Sequence, residues 1–277
     1  MSATKRILVT GAGGFMRENL PRPQAPRANV LGVGIHAVDM GSAVEVLKTA
    51  VRDHRKGYVC VTGVHGIMEA QTDPAFRSIL NHSLLTTPDG MPTVWVGRWQ
   101  GHSRMRRVFG PDLMLAVCEM SVREGYTHFL YGGADGVAEE LSAALSRRFP
   151  GLRIVGTYNP PFRPLNQIEE EDLSARVASV KPDIFWVGLG APKQERFMAE
   201  YLPRLDTRVM VGVGAAFDIH TGRIQDAPAW VKQSGLQWLH RLGQEPRRLW
   251  KRYLYNNPRF VIKMTSQLLG LSKYPLL

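Results

Sequence analysis

Short apolar runs alternate with stretches of helical spacing from residue 29 to residue 212. Residues 30–33, 58–62, 84–87, 127–131, 152–156, 184–187 and 208–212 have the length and the β-branched or aromatic content of strands. Between them, residues 42–52, 74–80, 110–122, 134–149 and 169–179 read as helices. Asp73-Pro74 pairs a capping side chain with a proline at the first helical position, and Gly110-Pro111 opens a helix in a related way. This alternation predicts an α/β, Rossmann-like fold: a mainly parallel sheet covered by helices, with ligands at the carboxyl ends of the strands.

Several of those strand ends carry candidate chemistry. After the predicted strand 184–187, Gly188 and Gly190 turn the chain, Pro192 suits a first helical turn, and Phe197, Tyr201 and Leu202 share one side. The N–H groups at that helix start, with Lys193 beside them, suit a phosphate; an ordinary turn with a surface lysine fits the spacing equally. Gly212-Val213-Gly214 ends the next strand, and Asp218 beyond it suits a ribose or base, or a helix cap. Asp89 lies between Pro88 and Gly90, where a carboxylate either takes a proton from a hydroxyl or caps the helix that follows. Thr62 ends the neighbouring strand, and His65 after it either binds substrate or fills a loop. Arg98, Arg104, Arg106 and Arg107 form a cationic cluster suited to a phosphate or to solvent.

The two ends differ from this middle. Residues 7–16, Ile-Leu-Val-Thr-Gly-Ala-Gly-Gly-Phe-Met, resemble the opening of an extended short-chain dehydrogenase or nucleotide-sugar epimerase. Arg17 stands where the third glycine belongs, and Pro21, Pro23 and Pro26 stop any helix, so an extension over 1–28 is expected rather than an NAD site. From Lys232 onward, nine Lys or Arg face Glu245 alone, which places +8 of the formal +11 charge there and calls for an anionic partner. Arg247, Arg248, Lys251 and Arg252 fall on one side of a helix, with Leu249, Trp250, Tyr253 and Leu254 on the other; Pro258 then begins a second helical piece. Such a helix suits an anionic membrane surface, at about 1 kcal/mol per basic residue, or packs on the core with a solvated basic face.

Composition narrows the classes. A hydrophobic content of 44% over 277 residues supports a full core, and Cys60 and Cys118 have no ligand spacing, so no metal site and no cofactor are expected. The first residues hold too few apolar side chains for a secretory signal, and no run is long enough to span a bilayer. Asp-x-Asp, Gly-x-Ser-x-Gly and Gly-x-x-x-x-Gly-Lys-Ser/Thr are all missing from the sequence. A nucleic-acid binder would explain the charge but not the ordered glycine turns.

Six blocks in order, TTPDGMPTVW (86–95), FGPDLM (109–114), YGG (131–133), VGLGAPKQE (187–195), GVGAAFDIHTG (212–222) and WLHRLGQEPRRLWKRYLYNNPRF (238–260), resemble the WecG/TagA/CpsF family of bacterial glycosyltransferases. The resemblance runs from about residue 30 to residue 260. It implies an α/β glycosyltransferase domain over 29–235 and a basic amphipathic C-terminal appendage over 236–277. The implied reaction is inverting and metal-independent. It moves an N-acetylhexosamine, of the N-acetylmannosamine type or its uronic acid, from a UDP-sugar to a polyprenyl-diphosphate-linked sugar for cell-wall or exopolysaccharide synthesis, at the cytoplasmic face of the membrane. In that reading Asp89 matches the general base, and Thr62, His65, Lys193, Gln194, Glu195 and Asp218 fall on substrate-binding positions. Arg241, Arg248 and Arg252 fall where basic residues meet the lipid diphosphate. Many members carry Asn just after the Thr, where this chain reads Gly63-Val64-His65, a departure that bears on donor or acceptor preference. A homo-oligomer is compatible with the sequence, and the alternative activity is that of an NAD-dependent nucleotide-sugar epimerase or dehydrogenase.

Overall fold

The computed structural model describes residues 25–276, with the side chain of Arg248 outside that description. The glycine-rich opening 7–16, the basis of the epimerase reading, lies outside the described residues. In chain order, β1 (Arg27–Val30) and β2 (Val33–His36) lead to α1 (Met40–Arg52). Next come β3 (Gly57–Thr62), α2 (Val64–Glu69), α3 (Pro74–Asn81), β4 (Leu85–Pro88), α4 (Met91–Trp99) and α5 (Gly110–Glu124). The alternation continues through β5 (Thr127–Gly132), α6 (Val137–Arg148), β6 (Arg153–Tyr158), α7 (Gln167–Val180), β7 (Ile184–Gly188), α8 (Lys193–Tyr201) and β8 (Val209–Gly212). Four helices follow: α9 (Ala216–His220), α10 (Ala229–Gln233), α11 (Gln237–Gln244) and α12 (Pro246–Leu268).

Six strands make one sheet in the order β4-β3-β8-β7-β5-β6, and every pair in it is parallel. The chain thus adopts the Rossmann-like α/β class that the alternation predicts. Along β7 the side chains alternate between two cores: Ile184 and Trp186 pack with Leu130, Val211 and Phe217, while Phe185 and Val187 pack with Phe129, Tyr131 and Phe197. Phe197 stacks between Tyr131 at 4.4 Å and Tyr201 at 4.3 Å, which fixes α8 on the sheet. Trp186 donates Nε1–H to His128 Nδ1 at 2.8 Å, and burial pushes His128 down to about 4, so the ring stays a neutral acceptor.

The strand expected over 30–33 is instead the turn of an antiparallel hairpin between β1 and β2. Leu31 (φ 55°) and Gly32 (φ 79°) sit at its two central positions, both with the positive φ such a turn demands. Leucine there hides the turn, since the flanking residues are buried and apolar on both sides. Three glutamines hold it. Leu31 N–H donates to Gln267 Oε1 at 2.8 Å, Gln71 Nε2 donates to Leu31 O at 2.9 Å, and Gln100 makes paired bonds of 2.8 Å to the N–H and O of Asn29. Gln267 Nε2 also donates to Asn29 O at 2.8 Å, and Asn29 Nδ2 donates to Tyr274 O at 2.7 Å.

The C-terminal helix corrects two further expectations. α12 passes through Pro258 without ending, although proline removes one ladder hydrogen bond. Packing holds the helix on both sides of that point: Leu249, Phe260 and Met264 are buried, and Asn256 bonds to His65. The apolar side read from the sequence is split, because Leu249 turns inward while Trp250 and Leu254 stay 46% and 63% exposed. No helix among the described residues is long and apolar enough to cross a membrane.

Candidate functional site

β3 and β4 lie side by side with Thr62 opposite Pro88, so their carboxyl ends open together at one edge of the sheet. Asp89 N–H donates to Thr62 O at 3.0 Å. The two turns touch closely: a Cβ on Gly63 would stand 2.7 Å from Asp89 O, and only glycine fits there. α4 then starts with Gly90 as its N-cap, at φ 96° and with no side-chain capping bond. Asp89 therefore does not cap that helix, and its carboxylate faces Arg107, with Oδ1 3.5 Å from Nη2. Desolvation raises the Asp89 carboxyl above the usual range, opposed by Arg107 and Arg241. Its side chain keeps 31% of its surface accessible, and solvent screening moderates the shift.

The C-terminal helices build the opposite wall. Arg107 is only 11% exposed; it lies 4.3 Å over the Phe109 ring and donates to Gln237 of α11. Arg241 of α11 bonds Glu245 at 3.1 Å and adds its field to Asp89. Tyr253 of α12 meets Trp238 edge-on at 5.7 Å and senses Arg241, Arg252 and Asp89. On the far side of β3, Asn256 Nδ2 lies 3.2 Å from His65 Nδ1. Burial, then Arg252, pushes His65 down to about 4, with the Ala191 backbone opposing, so the ring is neutral at physiological pH.

Thr62, His65, Asp89, Arg241 and Arg252 thus gather around one crevice. The Thr62 hydroxyl is buried there with no hydrogen-bond partner among the described residues. Sequence reasoning had Arg107 only as one of a cationic cluster, and missed Gln237, Tyr253 and Asn256. No local pattern marks them, since their role depends on α11 and α12 returning across the sheet. The side chain of Arg248 lies outside the described residues.

The glycine turn after β7 supplies the other lip. The Ala191–Pro192 bond is cis and α8 begins at Lys193, which is exposed. Gln194 turns inward, accepting Gly190 N–H at 3.1 Å and donating to Glu195 Oε1 at 3.0 Å. Gly212 lies close beneath it, where an added Cβ would stand 2.9 Å from the Gln194 amide and 2.8 Å from Met198 Cε. Asp218 stands on α9, beyond the turn after β8; its carbonyl accepts the N–H groups of Arg223 and Ile224.

Glu195 is 1% exposed, its Oε2 has no partner among the described residues, and burial pushes its carboxyl up to about 7 against the donated Gln194 amide. The folded protein holds this proton up to about pH 7, whereas the unfolded chain releases it near the ordinary glutamate value of 4.5. The protonated carboxyl therefore contributes its full stability below pH 4.5, and that contribution is lost as pH rises through 7. Glu195→Gln is expected to remove the loss: between pH 5 and 8, wild type should fall by about 1–3 kcal/mol relative to the variant in chemical denaturation. Parallel stability profiles for the two proteins would refute the assignment.

The model of the Glycosyl transferase WecG/TagA/CpsF family matches residues 28–274. Among curated proteins, the chain is 30% identical over 224 residues to an N-acetylglucosaminyldiphosphoundecaprenol N-acetyl-beta-D-mannosaminyltransferase of Bacillus spizizenii, spanning 80% of this chain and 84% of that protein. It is 27% identical over 231 residues to a protein of the same description from Bacillus subtilis, spanning 83% of this chain and 87% of that one.

Proposed function

The chain belongs to the WecG/TagA/CpsF family and is a glycosyltransferase; from that premise we propose that it moves an N-acetylmannosamine-type residue, or its uronic acid, from a UDP-sugar to a polyprenyl-diphosphate-linked sugar. The names of the two Bacillus relatives support the acceptor and the transferred sugar. The observation that carries the mechanism is the Asp89 carboxyl at the end of β4, half-buried and flanked by Arg107 and Arg241.

In this reading an acceptor hydroxyl attacks the anomeric carbon from the face opposite UDP. A new C–O bond forms as the bond from that carbon to the diphosphate oxygen breaks, the configuration inverts, and UDP leaves with the electron pair. The hydroxyl proton passes to Asp89, whose raised pKa brings it nearer the pH at which it works. Guanidinium groups at the crevice carry the charge that develops on the diphosphate, without a call on a metal ion. Thr62 and neutral His65 supply hydrogen bonds to substrate, and Lys193 with Asp218 lies on the donor side. Arg241, Arg248 and Arg252 meet the lipid diphosphate in the segment 236–277. The enzyme then acts as a peripheral protein on the cytoplasmic face of an anionic membrane.

Calorimetry against UDP-N-acetylmannosamine, UDP-N-acetylglucosamine, UDP-N-acetylmannosaminuronic acid and NAD tests the donor. Binding of a UDP-sugar of the mannosamine series in preference to the others is expected. Binding of NAD alone would overturn the proposal in favour of the epimerase reading.

A further inference from the structure

Four exposed tryptophans, Trp95, Trp99, Trp230 and Trp250, take no part in the mechanism above. Trp95 and Trp99 are 50% and 61% exposed and one helical turn apart on α4, the helix that starts directly after Asp89 and Gly90. Trp230, 68% exposed, stands on α10. The two helices adjoin: the Trp95 ring lies against Gly235 in the turn that joins α10 to α11, where an added Cβ would stand 2.9 Å from it. Leu239 of α11, 50% exposed, and Trp250 and Leu254 of α12 add further large apolar side chains left in water on the helices that follow that turn. Large apolar side chains left in water on neighbouring elements mark a contact surface rather than the scattered exposure of an ordinary monomer.

We infer that α4 is part of the lipid-contacting surface of this enzyme, with Trp95 and Trp99 seated at the interface of an anionic bilayer beside the crevice. This deepens the proposed function and rests on it, because it names the surface on which the acceptor is met. Two observations choose a bilayer over another occupant. Tryptophan combines an apolar ring with an N–H that stays hydrated, and it is the residue suited to the headgroup boundary. Cations flank the patch on both sides: exposed Arg98 lies in the last turn of α4 and exposed Arg104 just after it, and exposed Arg247 and Lys251 share α12 with Trp250. A second copy of a chain carrying +11 would meet the same cations and be repelled, whereas anionic lipid is attracted. Asp89 opens directly into α4, so seating that helix at the interface brings the crevice to the depth of a lipid diphosphate.

The test is co-sedimentation of full-length protein with vesicles of phosphatidylglycerol and phosphatidylethanolamine, at low salt and near 1 M salt, where the Debye length is about 3 Å and the electrostatic attraction is screened. Trp95→Ser/Trp99→Ser is expected to lower partitioning about tenfold at low salt and to abolish what remains at high salt. Transfer to a short-chain, water-soluble acceptor should be unchanged, and this also shows that the variant folds. Partitioning equal to wild type in both salts would overturn the inference. So would sedimentation velocity showing wild type as a dimer and the variant as a monomer, because the patch would then be a self-interface. Loss of transfer to the soluble acceptor by wild type itself would instead sink the proposed function, so the two failures are distinguishable.

Discussion

Asp89→Asn is expected to lower the transfer rate by about 10²- to 10⁴-fold, the range a positioned general base supplies, while UDP-sugar affinity stays near wild type. Asparagine keeps the size of the side chain and loses the ability to accept a proton. The backbone contact to Thr62 O and the fit against Gly63 do not depend on the carboxylate, so the local fold survives. Product formation with a lipid-linked or short-chain acceptor gives the rate, and calorimetry with the donor gives the affinity. Near-normal turnover in the variant would remove Asp89 from the proton step; a parallel loss of donor affinity would reassign it to donor binding.

Arg107→Ala carries the second large effect, a fall of about 10²-fold in kcat/KM, comparable to removing one preorganised donor from a developing charge. Its signature is a shift in the pH profile. Arg107 lowers the Asp89 pKa, so without that cation the carboxyl holds its proton to higher pH, and the acid limb of kcat/KM moves upward. Arg107→Lys should restore much of the limb's position, because the charge remains. It should not restore the full rate, since the planar fork that bonds Gln237 and lies over Phe109 is gone. An unmoved acid limb in Arg107→Ala would place the arginine outside the field of the base.

The sheet was readable because its strands are buried on both faces, and residues such as Ile184 to Val187 have no polar alternative to a central position. The cap at Asp73 was readable for the opposite reason: it is a local bond, Asp73 Oδ1 accepting Phe76 N–H at 2.9 Å, and local chemistry leaves a local pattern. The hairpin at Leu31 was not, since its turn is held by glutamines 40 and 236 positions away, and nothing near Leu31 announces them. The candidate site divides along the same line. Asp89 and Thr62 sit at strand ends that the alternation locates. Arg107 was visible only as one of a cationic cluster, and Gln237 and Tyr253 enter because α11 and α12 fold back over those ends, a long-range fact. The stripe by which α12 docks is equally hidden, since Leu249 and Trp250 have similar character and opposite fates.

The glutamine clamp at the hairpin also ties the first described strand to the last helix of the chain. Gln267 reaches Leu31 and Asn29 across 236 and 238 positions. The last strand of the sheet ends at Gly212, so the sheet and Asp89 can be in place while the ribosome is still adding the residues that wall the crevice. A nascent chain therefore carries Asp89 long before it carries Arg241 and Tyr253. A chain stopped before α11 would therefore keep the sheet and Asp89 and lose the wall that Arg241 and Tyr253 build.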